Sequence, residues 1–248
     1  MQTIVCMKWG TRYPADFVNR LYSMVMRNTV RQTRFICFTE DPTGLSDGII
    51  TAPLPDINIP ERVAWTPWRK LSLWRADLGK DVPGGIEGDA LFLDLDMVIT
   101  GPLDDFFDFA PGAYCVIENF TQRGKGIGNT SLFRFPVGPH AHIFDVFNAD
   151  PESVLAKYRI EQQYISGEIE GQRFWPDLWC ASFKHDLMPR WPLNFVQVPA
   201  LPSETRVVAF TGKPDPDEAL IGEYPVEKAW KKIYKHVRPT PWIGEHWR

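Results

Sequence analysis

The chain has 248 residues, a formal net charge of −4 and a pI near 5.8. This length can bury one sizeable hydrophobic core, so we expect a single domain over residues 1–248. An acidic chain offers no broad basic field, which argues against nucleic acid as a partner. Nothing approaches the roughly 20 apolar residues of a membrane-spanning helix, and the N-terminus has no basic leader. We therefore expect a soluble or at most peripheral protein.

The spacing of the cysteines indicates the redox state of the cellular compartment. Cys6, Cys37, Cys115 and Cys180 stand singly among apolar neighbours, with no paired spacing typical of a zinc site or a disulfide framework. A reducing cytoplasm fits this pattern best. The ten tryptophans are unusual for this length, and we expect most of them to pack in the core, although flat aromatic faces also suit sugar rings.

The first elements predict a β-α-β unit. Thr3 to Met7 is a short apolar strand, Pro14 is well placed for the first turn of a helix, and Arg34 to Thr39 is a second strand. Such a unit normally closes right-handed into a parallel sheet. Ligands of these sheets bind at the carboxyl ends of the strands. The residues at that end of the first strand are Lys8, Trp9, Gly10 and Thr11.

At this edge the Lys8 cation would meet phosphate and the Trp9 indole would cover a base, although Trp9 as a core residue is an equal alternative. Ile49 to Thr51 predicts a third strand. From Trp65 we expect a helix with one apolar stripe and with Lys70 at its margin. The stripe consists of Trp68, Leu71, Trp74 and Leu78.

Two aspartates lie in an apolar run of strand length, ALFLDLDMVIT at Ala90 to Thr100. We interpret the run as one buried strand, in which Asp94 and Asp96 would share a face. Two adjacent ionised carboxylates are costly at a buried strand end unless a proton or a cation offsets the repulsion. Their oxygens suit Mg²⁺ or Mn²⁺, with open positions for water and substrate phosphates. Solvated aspartates at a polar strand exit are the alternative.

The second half predicts further strands with helices between and after them. We expect these strands near Ala113 to Ile117, Thr130 to Phe135, Asn194 to Val198 and Val207 to Phe210.

The C-terminal segment predicts an amphipathic helix from Val226. Trp230, Ile233, Tyr234 and Val237 would form its apolar face, and lysines would surround the rest. Packing against its own domain is the preferred interpretation by about two to one, given how common such packing is. The alternative is a peripheral membrane contact through residues 226–237 at the inner face of the membrane, next to a lipid-linked acceptor.

Several segments together resemble the GT-A glycosyltransferases of family 8, the glycogenin and lipopolysaccharide galactosyltransferase group. RKLSLW at Arg69 to Trp74 and LFLDLDMVITGPLDDFFDF at Leu91 to Phe109 are similar to the lysine-leucine helix, the Asp-x-Asp strand and its exit. GNTSLFRF at Gly128 to Phe135 and EQQYIS at Glu161 to Ser166 resemble the Asn-Ser-Gly strand and the Asp-Gln helix start. VVAFTGKPDP at Val207 to Pro216 is similar to the segment His-Phe-x-Gly…Lys-Pro.

The resemblance implies an α/β fold of the GT-A, Rossmann-like type, with a mixed, mainly parallel central sheet flanked by helices. Residues 1–100, approximately, would form a nucleotide-binding half, and about 101–248 an acceptor half. The implied activity is transfer of a hexose from a UDP-sugar donor to a glycan, a lipid-linked or a small-molecule acceptor.

The resemblance also implies roles for single residues. Asp94 and Asp96 would hold Mn²⁺ or Mg²⁺ on the diphosphate, with Asp94 also reaching the ribose. Lys70 and Lys213 would contact phosphates, and Lys8 and Trp9 would lie at the nucleoside. Gln162, together with Glu161, would lie next to the anomeric carbon of the sugar, and Asn129 would help to seat the sugar or the acceptor.

Two positions depart from the family pattern. The third metal ligand of the family is a histidine, whereas this chain has Ala209-Phe210-Thr211 there. Water, Thr211 or His185 would complete the coordination, or the affinity for metal is weak. Glu161 replaces an aspartate, which shifts any acceptor contact by one methylene.

The stereochemical outcome remains open from sequence. A retaining enzyme, as in the family, needs no strong base, because the leaving phosphate oxygen takes the acceptor proton and a neutral Gln162 suffices. An inverting enzyme would use Glu161 as general base. Two other functions also remain: a Mg²⁺-dependent phosphatase, because LFLDLDMVIT resembles the first motif of haloacid dehalogenases, and a non-catalytic binder of sugar nucleotides or glycans.

Overall fold

The computed structural model describes all residues from Met1 to Arg248. The strands are β1 (Gln2–Lys8), β2 (Thr33–Thr39), β3 (Ile50–Ala52), β4 (Asp89–Leu93), β5 (Met97–Ile99), β6 (Cys115–Glu118), β7 (Gly128–Pro136), β8 (Arg173–Phe174), β9 (Cys180–Ser182) and β10 (Val207–Ala209). The α-helices are α1 (Ala15–Arg27), α2 (Asp105–Asp108), α3 (His142–Ala149), α4 (Pro151–Lys157), α5 (Glu161–Glu168), α6 (Pro216–Ile221) and α7 (Trp242–His246). The other helices are the 3₁₀ segments Glu61–Val63, Pro67–Trp74, Leu193–Phe195 and Ala229–Ile233 and the π-helix Phe183–Leu187.

The residues form two compact units. Unit 1 contains Met1–Asn19, Arg31–Leu95 and Asp104–Trp175, and unit 2 contains Arg20–Val30, Asp96–Leu103 and Pro176–Arg248. Both units use residues before and after position 100, so neither coincides with a predicted half. The single domain with a nucleotide-binding and an acceptor half stays a prediction.

Unit 1 contains a seven-stranded sheet in the order β3-β2-β1-β4-β7-β6-β8. The first four strands run parallel, and β6 and β8 are also parallel, whereas β7 is antiparallel to both of its neighbours. β1 and β2 are joined through α1 and pair in parallel, with Val5 opposite Ile36. These pairings confirm the predicted α/β class with a mixed, mainly parallel sheet.

Aromatic rings dominate the core of unit 1. Trp68 stacks on Phe147 with ring centroids 5.5 Å apart, and Trp74 stacks on Phe133 at 5.8 Å. Both tryptophans are buried, as predicted for core residues. The segment that carries them is the 3₁₀ helix Pro67–Trp74 and not a longer α-helix. This correction has a physical reason, because a spacing of three residues repeats on one face of a 3₁₀ helix.

The aspartate run is two strands, and the prediction of one continuous strand is wrong. β4 ends at Leu93 and pairs with β1 and β7, whereas β5 begins at Met97 and pairs with β10 in a separate sheet. Leu95 and Asp96 form a turn between them. Asp94 and Asp96 therefore do not share a strand face. Asp94 follows the carboxyl end of β4, and Asp96 precedes β5.

Unit 2 contains a three-stranded sheet in the order β5-β10-β9. β5 is antiparallel to β10, and β9 is parallel to it. Two predictions in this unit are wrong. The segment predicted as the strand Asn194 to Val198 contains only the short helix Leu193–Phe195, and the predicted amphipathic helix from Val226 is a single 3₁₀ turn at Ala229–Ile233.

The predicted packing of the C-terminal stripe also differs from the structure. Val237 is buried, but Trp230, Ile233 and Tyr234 are exposed. Because the segment is not an extended helix, these side chains do not form the single buried face that the helical spacing predicts. Separately, every helix in the structure is too short or too polar to cross a bilayer.

Candidate active site

The centre of the candidate site in unit 1 is an ion pair at the carboxyl end of β4. The Lys70 ammonium lies 2.7 Å from Asp94 Oδ2 and donates to the backbone carbonyl of Thr130 at 3.1 Å. The Lys70 side chain is only 5% exposed, and that of Asp94 is 20% exposed. The backbone N–H of Asp94 donates to Ser131 O at 2.8 Å, so that strand β7 positions the carboxylate. The pair thus fixes one positive charge at the strand edge where ligands of such sheets bind.

Glu161, at the start of α5, belongs to the same buried network. It is 3% exposed, and its Oε1 accepts a hydrogen bond from the Thr130 hydroxyl at 2.7 Å. Burial raises the pKa of Glu161 above its ordinary value, and the positive charge of Lys70 only partly opposes that shift. A side chain so enclosed is poorly placed to accept a proton from a substrate in solution.

The raised pKa of Glu161 predicts a dependence of stability on pH. Between the ordinary value of 4.5 and its pKa in the folded protein, the folded state binds more protons than the unfolded state. The free energy of unfolding should therefore fall as pH rises through that window, by at most about 1.4 kcal/mol per pH unit. Urea unfolding of wild type and Glu161→Gln, from about pH 4.5 to 7.5, measures this loss as a changing difference between the two proteins. A difference that is constant with pH contradicts the argument.

Gln162 is oriented by a chain of hydrogen bonds. The backbone N–H and the hydroxyl of Thr121 donate to Asn119 Oδ1 at 3.0 and 2.9 Å. The remaining Asn119 amide group then donates from Nδ2 to Gln162 Oε1 at 2.8 Å. Because its oxygen is occupied, Gln162 offers its amide N–H groups as donors to a substrate.

Asn129 lies on β7, directly before Thr130, which bonds Lys70 and Glu161. It is buried, and its Oδ1 accepts from the backbone N–H of Ser131 at 3.1 Å. Gly128 before it lies so close to Val116 that a Cβ would approach that side chain to 2.7 Å. A larger residue at position 128 would therefore displace the start of the strand that carries Asn129 and Thr130.

The residues predicted to contact the nucleoside lie at the carboxyl end of β1. Lys8 is buried and lies 3.8 Å from Asp41 Oδ2, while Trp9 is half-buried against the core. Gly10 has a φ of 61° and its N–H donates to Glu40 Oε1 at 2.8 Å; Thr11 after it is exposed. An added Cβ at Gly10 would lie 2.7 Å from the Trp65 ring, which is 67% exposed.

Two predicted site residues belong to unit 2. Asp96 is half-buried at the start of β5. Lys213 bonds Asp215 Oδ2 at 2.7 Å and Glu218, two carboxylates that also form the capping box of α6. Burial lowers the pKa of Lys213, but these two acceptors outweigh it and the pKa is raised. Lys213 therefore stays charged, and phosphate would have to compete with the two carboxylates.

The end of the small sheet next to Asp96 carries the candidates for a further metal ligand. Ala209 is opposite Met97 in antiparallel register, and Ser182 is opposite Ala209 in parallel register. Asp96 precedes β5, Thr211 follows β10, and the π-helix that contains His185 follows β9. All three therefore lie at the same end of this sheet. Thr211 Oγ1 is buried and has no hydrogen-bond partner. An unpartnered hydroxyl of this kind is a hard oxygen donor that suits Mg²⁺ or Mn²⁺.

No group of three or more His, Cys, Asp or Glu side chains gathers as a metal site. Asp94 in unit 1, and Asp96 and Thr211 in unit 2, nevertheless each offer an oxygen donor of the kind that Mg²⁺ and Mn²⁺ prefer.

Sequence reasoning missed three residues of this site. Thr130 connects Lys70 and Glu161 through its carbonyl and hydroxyl groups, Asn119 orients Gln162, and Trp65 covers Gly10. The only signal for Thr130 was its place inside the strand predicted to be similar to the Asn-Ser-Gly segment. Asn119 and Trp65 had none, because polar residues after a strand and tryptophans before a helix are common.

Solved structures share this fold. Galactosyltransferase LgtC, in complex with donor and acceptor sugar analogs, aligns with a TM-score of 0.58 and 14% identity over 87% of this chain and 89% of LgtC. The glycosyltransferase GlyE of Streptococcus pneumoniae TIGR4 aligns with a TM-score of 0.53 and 12% identity, over 87% of this chain and 56% of GlyE. The bifunctional glycosyltransferase WbbM aligns with a TM-score of 0.53 and 10% identity, over 87% of this chain and 46% of WbbM.

By sequence, neither a family model nor a curated protein matches the chain. The similarity is therefore one of architecture, and it covers most of the chain. Sequence identities this low show a shared fold but not a shared activity. The chain has the GT-A fold in the form seen in LgtC, GlyE and WbbM, as the sequence motifs predicted.

Proposed function

We propose that this protein is a glycosyltransferase that transfers a hexose from a UDP-sugar to an acceptor hydroxyl. The observation that carries the proposal is the buried Lys70–Asp94 pair at the carboxyl end of β4, in a fold similar to that of LgtC. LgtC was solved with donor and acceptor sugar analogs. A buried ion pair at the ligand-binding edge of such a sheet is costly to build for stability alone, which favours a functional reason for it.

The donor would be held by residues from both ends of the sequence. The uridine would contact Lys8 and Trp9, with Gly10 and Thr11 in the same loop. The diphosphate would contact Lys70 and Lys213. Asp94 and Asp96 would hold Mn²⁺ or Mg²⁺, with Thr211 as the side chain in place of the family's histidine. The sugar would contact Asn129 and Gln162.

A nucleoside diphosphate leaves readily only when its growing negative charge is neutralised. A bound divalent cation supplies part of that neutralisation as a Lewis acid. Lys70 contributes a second positive charge that is already oriented by Asp94 and Thr130, so little reorganisation accompanies bond cleavage. This preorganisation is the main catalytic contribution that we assign to the chain's own residues.

The state of Glu161 favours a retaining outcome. An inverting enzyme would need a carboxylate base facing the acceptor, and Glu161 is instead enclosed and bonded to Thr130. In a retaining reaction the leaving phosphate oxygen takes the acceptor proton, and Gln162 assists as a neutral hydrogen-bond donor at the sugar. LgtC was also solved as a variant that replaces an active-site glutamine by glutamate. We therefore assign Gln162 as the catalytic residue and Glu161 as a positioning residue for Lys70.

The role of Asn119 can be tested by reversing its hydrogen-bonding group. Asn119→Ala frees the Gln162 amide and is expected to lower kcat by about tenfold to a hundredfold, with little change in KM for the donor. Asn119→Asp should be at least as damaging, because its carboxylate accepts from Gln162 Nε2 and turns the oxygen of Gln162 toward the sugar. Steady-state kinetics measure both, with thermal unfolding as the check on folding. Full activity of Asn119→Asp would show that Gln162 does not act as a donor.

The acceptor would be a glycan, a lipid-linked sugar or a small molecule, because loops that differ widely on one fold build such pockets. The phosphatase alternative is not favoured by the structural neighbours, which are glycosyltransferases. A non-catalytic binder of sugar nucleotides is the remaining alternative, and only turnover distinguishes it.

A donor screen by thermal shift tests donor recognition. In Mn²⁺, UDP-glucose or UDP-galactose at about 100 times its Kd should stabilise the protein by about 2.7 kcal/mol, whereas other nucleoside diphosphate sugars should stabilise it less. Asp96→Ala, assayed in parallel, should lose this shift. If no nucleotide sugar raises the melting temperature of the wild type, the proposed donor class is wrong.

A further inference from the structure

Unit 2 contains a groove with a volume of about 780 Å³ at one end of its three-stranded sheet. The groove is lined by residues 100–102, which follow β5, by residues 176–179, which precede β9, and by residues 203–206, which precede β10. Pockets for small-molecule ligands commonly have volumes of about 300–1,000 Å³. None of the residues assigned to the proposed active site lines this groove, so it is a separate cavity with room for a ligand.

The groove lies at the end of the small sheet opposite to Asp96 and Thr211. Asp96 precedes β5 and Thr211 follows β10, whereas Thr100 follows β5 and Arg206 precedes β10, with β5 and β10 antiparallel. Because a strand rises about 3.3 Å per residue, Thr100 lies about 13 Å from Asp96 along the chain. A small ligand in the groove would therefore bind away from the metal ligands proposed in this unit.

The groove is preformed, because hydrogen bonds hold its three segments together. The backbone N–H of Thr100 donates to Arg206 O at 2.7 Å, and that of Arg206 donates to Trp179 O at 3.0 Å. The Thr100 hydroxyl donates to Thr205 O at 2.7 Å. The guanidinium carbon of Arg206 lies 3.9 Å from the centroid of the Trp179 ring, a cation–π contact that fixes the orientation of the ring. A ligand that binds here would order few additional side chains, which lowers the entropic cost of binding.

The other side chains of the groove are acidic or apolar. Asp177 and Glu204 are exposed, and no hydrogen bond or ion pair within the chain occupies either carboxylate. Both can therefore accept hydrogen bonds from hydroxyl groups of a ligand. Leu178 is 58% exposed and adds apolar surface to the groove. Two carboxylates against the single guanidinium of Arg206 disfavour an anionic ligand such as a nucleotide or a phosphorylated lipid.

We propose that this groove binds a neutral oligosaccharide and is a carbohydrate site separate from the proposed active site. The Trp179 indole offers a flat apolar surface that suits a sugar ring. Sugar hydroxyls donate to the carboxylates of Asp177 and Glu204 and accept from the Arg206 guanidinium. A cationic peptide would also satisfy the two carboxylates, but the guanidinium would repel it. The proposal does not depend on the proposed transfer reaction, because binding in the groove needs neither the donor nor a metal ion.

Saturation-transfer difference NMR on the full chain, without UDP-sugar or Mn²⁺, tests the proposal. The wild type is expected to transfer saturation to at least one of maltohexaose, cellohexaose and chitohexaose. Trp179→Ala and Asp177→Ala/Glu204→Ala should each weaken binding of that oligosaccharide at least about tenfold. Because Asp177 and Glu204 are exposed, the double variant should unfold at the temperature of the wild type, and it tests the groove without removing the packing of the Trp179 ring.

Matched controls separate the groove from other surfaces. Glu223→Ala/Glu227→Ala removes two exposed carboxylates elsewhere in unit 2, and Gln162→Ala changes the proposed active site in unit 1. Both should bind the oligosaccharide like the wild type. The proposal is wrong if none of the three oligosaccharides binds, if the groove variants bind as well as the controls, or if Gln162→Ala abolishes the binding. Binding of oligolysine that the Asp177→Ala/Glu204→Ala variant loses, with no binding of oligosaccharide, would also contradict it and would indicate a site for cationic peptides.

Discussion

Replacing Asp96 by asparagine is expected to lower kcat/KM for the UDP-sugar by about 10²–10³-fold. The substitution keeps size and one oxygen ligand but removes the negative charge that would hold the divalent cation. Turnover of the variant should also need more Mn²⁺ to reach its maximum. UDP release, measured against Mn²⁺ concentration for both proteins, gives the two quantities.

The matched control is Asp145→Asn on α3, which removes an exposed carboxylate in the same way. It should retain the turnover of the wild type. If Asp96→Asn turns over donor within about twofold of the wild type at limiting Mn²⁺, Asp96 is not a metal ligand, and the assignment fails.

Replacing Lys70 by methionine is expected to reduce both stability and turnover. Asp94 would lose the ammonium group with which it is paired at 2.7 Å, and breaking a buried pair by removing one partner typically costs about 3–5 kcal/mol. Because Asp94 is 20% exposed, we expect a loss of about 3 kcal/mol in the free energy of unfolding. Turnover should fall by about 10²–10³-fold, because the leaving diphosphate loses a preorganised cation.

A double-mutant cycle separates the ion pair from a general packing defect. Once Asp94→Asn is present, Lys70→Met should destabilise the protein less, with a coupling of about 1–3 kcal/mol by urea unfolding. Lys80→Met is the control, because Lys80 forms an exposed ion pair with Asp77 and should change stability by less than about 1 kcal/mol. Additive effects of the two substitutions would contradict the pairing.

Part of this architecture could be predicted because local patterns determine it. β1 and β2 each contain a continuous apolar run, Ile4 to Met7 and Phe35 to Phe38, and parallel pairing of β1 with β2 follows from the β-α-β order. The break inside ALFLDLDMVIT could not be predicted. Met97 to Ile99 is as apolar as the strand before it, and the strand leaves the sheet only because its partner is β10, more than 100 residues later.

The candidate site shows the same limit. Asp94, Lys70 and Gln162 could be proposed from motifs, because motif order survives in the sequence. Asn119 could not, because its role depends on Thr121 fixing its amide and on α5 bringing Gln162 within 2.8 Å. The burial of Glu161 also depends on tertiary contacts, and it is the reason why we propose a positioning role for this residue and not the role of a base.

The C-terminal segment illustrates competition between propensity and tertiary contacts. Spacing alone favours a helix from Val226, but the backbone carbonyls of Ile233, Tyr234 and His236 accept hydrogen bonds from Trp191 and Asn194. These hydrogen bonds attach the segment to residues that lie about 40 positions earlier in the chain, in the conformation of a single 3₁₀ turn. The conformation thus depends on tertiary contacts that the spacing of apolar residues does not reveal.

The most direct test of the central claim is release of UDP from UDP-glucose and UDP-galactose by the purified protein in Mn²⁺. We expect one of the two donors to be consumed, slowly by water and faster with a glycan acceptor, and we expect chelation of Mn²⁺ to stop the reaction. If the protein binds UDP and the intact donors but consumes neither, even over many hours and with acceptors present, it is a binding protein, and the catalytic roles of Lys70 and Gln162 are wrong.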